Sequence, residues 1–234
     1  MINIQKYQDL GTADHGWLNA HFHFSFANYF NRNRMQFGPL RVINDDIIKA
    51  GKGFDFHPHE NMEIITYVRQ GAISHEDSLG NKGRTAAGDV QVMSAGTGIR
   101  HMEYNFEDED TNLYQIWIMP NKTGVKPRWD TKIFPQKQVQ GQLSLLVSGR
   151  TQDQAQDALY IHQDAAIFGG KIAEGQEIHH SMKEGRRAYV LCSYGSFQVN
   201  GQTLSKGDGA EVSAESSLAL RAIEECEIIL IDLP

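Results

Sequence analysis

The chain has 234 residues, 40% of them hydrophobic and 22% charged, with a formal net charge of −7 at pH 7. That length supplies the core of one large or two small domains. Charges of both signs are spread along it without a basic stripe, which argues against nucleic acid or an anionic membrane surface as the main partner.

Met1-Ile2-Asn3-Ile4-Gln5-Lys6 lacks the basic-then-apolar layout of a secretory signal. No apolar run approaches the roughly 18 residues of a membrane span, so the cytoplasm is the expected location. His21-Phe22-His23-Phe24-Ser25-Phe26 alternates strictly. That predicts a strand with the phenylalanines on a core face and His21 and His23 together on the other, where spacing alone makes them a second candidate ligand pair beside the simpler reading of a strand with one core face. After His57-Pro58-His59 come strands predicted over Met62–Val68, Val90–Met93 and Leu113–Met119, with His75 in an acidic, loop-like stretch beyond the Gly71 turn. Glu107-Asp108-Glu109-Asp110 reads as a solvated loop. The stretch Asn121–Gln142, with Pro127, Pro135 and no clear strand, reads as the connection between two halves. Asp153–Tyr160 is a short helical turn or a loop, and strands follow over Ala188–Cys192 and Glu227–Leu233. Asn200-Gly201 between apolar runs signals a tight hairpin, because a type I′ turn needs positive φ at both central residues. Short apolar runs separated by turn signals, with 22 glycines, point to an all-β fold. Cys192 and Cys226 are too few for a disulfide framework and read as buried, reduced thiols.

The two halves repeat. Tyr67-Val68-Arg69-Gln70-Gly71-Ala72-Ile73, leading to Ala87-Gly88-Asp89-Val90, matches Leu191-Cys192-Ser193-Tyr194-Gly195-Ser196-Phe197, leading to Lys206-Gly207-Asp208-Gly209. Two β-barrels on one plan are expected.

His57-Pro58-His59 and His101-Met102-Glu103 each carry two metal-ligating side chains at i, i+2, which a β-strand places on one face. Two such strands facing each other would converge three imidazoles and a carboxylate, a set suited to a divalent first-row metal. Offsets from the paired glycines put Ser181 and Lys183 where His57 and His59 stand, and Leu220 and Ala222 where His101 and Glu103 stand. One metal is therefore expected, in the first half. His179 and His180 are adjacent and point to opposite faces, so they make a poor pair.

The wider pattern around His57, His59, Glu63, Gly71, Gly88, Gly96, His101 and Asn105 resembles the two signature motifs of the cupin superfamily. Three strings narrow the likeness: Gly53-Phe54-Asp55-Phe56-His57-Pro58-His59, His75-Glu76-Asp77-Ser78-Leu79-Gly80-Asn81, and Met93-Ser94-Ala95-Gly96-Thr97-Gly98-Ile99-Arg100-His101-Met102-Glu103. They resemble the pirin family, most closely its bacterial quercetinase-type members, over most of residues 1–130 and more loosely beyond.

The resemblance implies a bicupin: an N-terminal cupin over 1–130 holding one metal, and a C-terminal cupin over 131–234 without ligands. It implies His57, His59, His101 and Glu103 as ligands of one divalent transition metal, iron(II) foremost, with nickel, copper, manganese, cobalt or zinc as substitutes. It also implies a monomeric dioxygenase of the quercetinase type that cleaves a flavonol with O₂ and releases CO. Glu103 would double as the base that takes the flavonol proton, and Phe54 and Phe56 would help keep water out. Glu63 is the alternative carboxylate ligand, or else a group that orients an imidazole. His75 is expected at the surface or in a supporting role. Arg100 is either a pocket cation or a surface residue. Gly96 and Gly98 serve a tight approach to the metal strand, since no helix follows to bind phosphate. The same resemblance admits a second function, a redox-sensing or regulatory metal protein with a protein partner and no significant turnover. It also admits a third, another cupin reaction on a different substrate.

Overall fold

A computed structural model describes residues 1–134, 137–139 and 141–234; Pro135, the second proline of the expected connection, lies outside the described residues. The fold is all-β, and the predicted strands form. Met62–Val68 becomes Glu63–Gln70, Leu113–Met119 becomes Thr111–Ile118, and Ala188–Cys192 extends to Arg187–Tyr194. Asn200 and Gly201 take φ of 46° and 81°, the left-handed pair a type I′ turn requires. Within the expected connection Arg128–Lys132 is a strand, because it pairs with Val90–Ser94 from Arg128↔Ser94 to Lys132↔Val90. Thr151–Asp153 forms one 3₁₀ turn and Leu159–Tyr160 a short strand.

The chain forms two compact units, Gly11–Pro135 with Leu159–Gln163, and Met1–Leu10 with Gln136–Ala158 and Asp164–Pro234. A single cut near residue 130 differs from this at the N-terminus and at Leu159–Gln163. Ile2–Gln5 adds antiparallel to Gly209–Ser213, from Ile2↔Val212 to Gln5↔Gly209, and so joins the second unit.

In the first unit one sheet runs Arg128–Lys132, Val90–Ser94, Glu63–Gln70, Thr111–Ile118, Leu40–Ile48, Leu18–Phe22, Gly11–Asp14. A smaller sheet runs Gly53–His59, Ile99–Tyr104, Ala72–Asp77, Lys82–Ala86. Phe22, Ile48, Val68, Ile73 and Leu113 pack into a buried cluster in this unit. The second unit repeats the order with Gly209–Ser213, Arg187–Tyr194, Cys226–Leu233, Ala166–Ile172 in one sheet and Glu177–Ser181, Ser217–Ala222, Ser196–Val199, Gln202–Ser205 in the other.

Strand register makes the comparison of the halves residue-specific. His75 and Val199 each stand four residues past their turn glycine, Gly71 or Gly195. His75 pairs with Glu103, and Val199 pairs with Leu220. Leu220 is thus the counterpart of Glu103 and Leu218 that of His101, two residues earlier than the glycine offsets placed them. His101 pairs with His57, and Leu218 pairs with His180, so His180 and not Ser181 stands where His57 does. The same alignment sets Val190, Ala210 and Leu230 where Thr66, Gln91 and Gln115 stand. Val190, Val199, Ala210, Leu218, Leu220 and Leu230 all lie in one buried apolar cluster. The second barrel fills with hydrocarbon the volume that the first fills with polar side chains.

Candidate metal centre

His57 and His59 come from Gly53–His59, and His101 and Glu103 from Ile99–Tyr104. The two strands do not face each other; they are antiparallel neighbours in one sheet, with His101 opposite His57 and Ile99 opposite His59. Alternation still puts all three imidazoles on one face. Their ring centroids lie 4.5 Å (His57–His101), 4.8 Å (His57–His59) and 5.0 Å (His59–His101) apart. One ligand atom from each lies within 4.8 Å of the others. His75, His101 and Glu103 form a second such group sharing His101. The register slips between His101 and Glu103, bringing Phe54 opposite Glu103. This bulge reverses the parity of the partner strand. Phe54 therefore lines the cavity while Phe56 is 42% exposed and takes no part in keeping water out.

His59 and His101 are poised as neutral ligands. Burial, and then the neighbouring imidazole of His57, lowers His59 to about 4. Burial and the surrounding imidazoles lower His101 to about 2. His57 Nδ1 lies 2.7 Å from the Asp55 carbonyl oxygen, so Nδ1–H donates there and Nε2 keeps its lone pair. His101 Nε2 is buried and has no hydrogen-bond partner. A buried, bare acceptor among imidazoles is what a cationic ligand would satisfy.

Glu103 is held from three directions. Gln91 Nε2 donates to Oε1 at 2.6 Å, Thr66 Oγ1 to Oε1 at 3.2 Å, and Gln115 Nε2 to Oε2 at 2.5 Å. The two amides are themselves oriented. Trp129 Nε1 donates to Gln91 Oε1 and Trp117 Nε1 to Gln115 Oε1, each at 3.3 Å, which leaves both amide NH₂ groups for the carboxylate. Oε2 accepts one of these bonds and keeps acceptor capacity for a cation. Burial raises Glu103 to about 7 against the opposing pull of the three donors.

These side chains open onto a cavity of about 640 Å³, lined by Trp17, Phe22, Phe26, Tyr29, Phe54 and Trp117 together with His57, His59, His101, Glu103 and Gln115. Trp17 meets Phe54 edge-on at 5.1 Å, and Trp117 meets His59 edge-on at 5.0 Å. Asn44 and Asp46 also line it, and burial holds the Asp46 carboxyl well above the usual range, with Asp45 and Glu103 adding to the effect.

Several expected residues lie elsewhere. Glu63 is three residues from the inward-facing Thr66 and so takes the opposite face of its strand. There it accepts from Ser94 Oγ at 2.7 Å and sits 3.2 Å from His162 Nδ1, so the imidazole it contacts is His162 and not one of the three. His75 is not at the surface; it is 2% exposed and touches His101. His21 and His23 join no metal-holding group among the described residues. His21 is half-buried and His23 fully buried, with burial, then Arg34, Arg69 and His21, lowering His23 to about 3. The strand ends at Phe22, after alternating burial from Leu18. Arg100 is exposed and donates to the Phe56 carbonyl. Gly96 has φ of 49°, and a Cβ there would sit 2.0 Å from the Val125 carbonyl oxygen, so the turn before the Ile99–Tyr104 strand requires glycine. Cys192 and Cys226 are free and buried, and burial pushes Cys226 up to about 12. In the acidic loop Glu107 accepts two bonds from Arg84 and Asp110 one from Lys49, on the surface.

Sequence reasoning missed Thr66, Gln91, Gln115, Trp117 and Trp129. Gln91 and Gln115 did carry a signal: an amide flanked by apolar residues within a strand must find a buried partner.

Comparison with known proteins places the site in context. Residues 3–118 match the family model described as Pirin, and 145–233 match the one described as the quercetinase C-terminal cupin domain. A Pseudomonas aeruginosa protein named "Putative quercetin 2,3-dioxygenase PA1210" is 51% identical over the whole of both chains. An Escherichia coli K12 protein named quercetin 2,3-dioxygenase is 42% identical, over 100% of this chain and 99% of its own. The crystal structure of the bacterial pirin YhhW from Escherichia coli in complex with nickel(II) superposes with a TM-score of 0.93 at 42% identity, covering 100% of this chain and 99% of that one.

Proposed function

The chain belongs to the pirin family, and on that premise we propose that it is a metal-dependent dioxygenase of the quercetinase type, cleaving a flavonol with O₂ and releasing CO. The observation that carries the reading is the opening of three clustered imidazoles onto an aromatic-lined cavity of about 640 Å³. That volume falls within the roughly 300–1,000 Å³ typical of small-molecule sites. The donor set fits a divalent transition metal: imidazole nitrogens and one carboxylate, with the buried Nε2 of His101 left bare. His57, His59, His101 and Glu103 would hold it. When bound, the metal supplies Lewis acidity toward the flavonol 3-hydroxyl and a redox-capable site for O₂.

The remaining work falls to the chain. Trp17, Phe22, Phe26, Phe54 and Trp117 offer flat apolar faces to a flat substrate and exclude water from the reacting carbon. Glu103 is the carboxylate that lines the cavity beside the imidazoles, and it is placed to accept the 3-hydroxyl proton. Gln91, Gln115 and Thr66 hold its carboxylate in place while it does so. Iron(II) is the metal first expected; nickel(II) is the natural alternative, since a relative binds it. The test is incubation of iron- or nickel-loaded protein with quercetin under O₂. Loss of the flavonol absorption band with CO evolution is the expected result. No turnover with any first-row metal would overturn the reading and leave the regulatory alternative.

A further inference from the structure

The string His75-Glu76-Asp77-Ser78-Leu79-Gly80-Asn81 has no role in the reaction as derived above, yet its buried members are aimed at the centre. His75 Nδ1 lies 3.4 Å from His101 Nδ1, and His75 Nε2 lies 3.0 Å from Asp77 Oδ2. Asp77 is immobilised in turn. Asn81 Nδ2 donates to Oδ2 at 2.9 Å, and the backbone N–H groups of Leu79 and Asn81 donate to Oδ1 at 2.9 and 3.1 Å. On its other side the His75 ring stacks on Trp129, with centroids 4.8 Å apart and planes 9° apart. Room for that indole comes from Gly83, the residue cross-strand from His75, where a Cβ would sit 2.2 Å from the Trp129 ring.

We propose that Asp77 and His75 form a relay that fixes His101 in its Nδ1–H tautomer and thereby presents Nε2 to the metal. His75 and Asp77 are positioning residues in this scheme. It rests on the metal reading given under Proposed function. The proton assignment follows from the chain of contacts. An ionised carboxylate only accepts, so His75 Nε2 carries the hydrogen toward Asp77. A neutral His75 then has a bare Nδ1, and His101 Nδ1 must carry the hydrogen between them. His101 Nε2 is left with its lone pair, which agrees with its lack of any partner. Partners of this kind, one shell out from a ligand, set its orientation and basicity.

The test pairs a metal-free readout with a metal-bound one. Nitrogen-15 NMR of the apo protein reports which ring nitrogen of His101 is protonated, and titration with Ni(II) alone reports affinity and stoichiometry. The wild type is expected to show His101 as Nδ1–H and His75 as Nε2–H. His75→Phe should release His101 into the mixed tautomers of free imidazole and weaken Ni(II) binding about 10- to 100-fold, with one site per chain retained. His75→Asn, whose amide oxygen occupies the place of Nδ1, should recover most of the lost affinity. Asp77→Asn should give an intermediate loss and serves as the second variant where His75→Phe fails to fold. A wild-type His101 protonated at Nε2 overturns the relay, as does affinity within about twofold of wild type in both His75→Phe and Asp77→Asn. Complete loss of the site in His75→Phe also overturns it, because that is the behaviour of a direct ligand in the group His75, His101 and Glu103. Failure of the wild type to bind Ni(II) overturns the metal reading, while the relay is still decided by the tautomer of His101.

Discussion

Replacing His101 by alanine separates the metal-binding role of this residue from its packing role. The ring is 2% exposed and lies between His57, His59 and His75. In EDTA the variant loses a buried ring and leaves His75 Nδ1 without a partner. The stranded acceptor costs about 1–3 kcal/mol, and a small cavity adds about 1–2 kcal/mol at this size. The metal-free protein should therefore stay folded but lose about 2–5 kcal/mol. Metal reveals the second role. At a free metal concentration one hundred times Kd the wild type gains about 2.7 kcal/mol, or roughly 5–10 °C in the melting temperature of the unit that binds it. His101→Ala should gain nothing measurable. Differential scanning calorimetry with and without metal, together with metal content per chain, reads both effects. A variant that keeps one metal per chain and a wild-type-sized metal shift would refute the assignment of His101.

Other expectations follow from the same geometry. Glu63→Gln should retain wild-type metal stoichiometry, because that carboxylate faces Ser94 and His162. Glu103→Gln, which sets an amide among three donors, should lose at least about tenfold in metal affinity; equilibrium dialysis of the two variants decides between the carboxylates. His23 is fully buried with its value lowered to about 3 from the unfolded 6.5. Its neutral form contributes stability that is fully present above pH 6.5 and is lost as pH falls toward 3. The loss is on the order of 4 kcal/mol, and urea titrations of His23→Gln should show a flatter pH dependence than wild type. Leu220→Ala should cost about 2–5 kcal/mol, measured by denaturant unfolding of the second unit, since Leu220 is fully buried there. A cost below 1 kcal/mol would mean the second barrel holds a cavity at the position of Glu103.

How far the site could be read from the chain depended on the range of the physics involved. His57, His59, His101 and Glu103 were readable because strand alternation is local, and two residues along one strand share a face whatever the rest of the molecule does. Glu63 could be demoted only once Thr66 was known to face inward, which is a tertiary fact. The repeat was visible at Gly71 and Gly195, but its register slipped by two. His101 stands seven residues past Ser94, and its counterpart Leu218 only five past Ser213, so the second half has the shorter turn. The cavity walls were hidden for a different reason. Trp17, Phe22 and Phe26 reach the site because Leu18–Phe22 pairs with Leu40–Ile48 and that strand with Thr111–Ile118, and no short-range pattern encodes such pairings. The joining of Ile2–Gln5 to Gly209–Ser213 is hidden in the same way.

The proposed function stands on one metal in the first barrel, held by His57, His59, His101 and Glu103. Crystals grown with Ni(II) or Fe(II), measured on both sides of the metal's absorption edge, test it most directly. One anomalous peak per chain is expected, roughly 2.0–2.2 Å from the Nε2 atoms of His57, His59 and His101 and from one oxygen of Glu103. A peak between Glu63 and His162, or no peak at saturating metal, would contradict it.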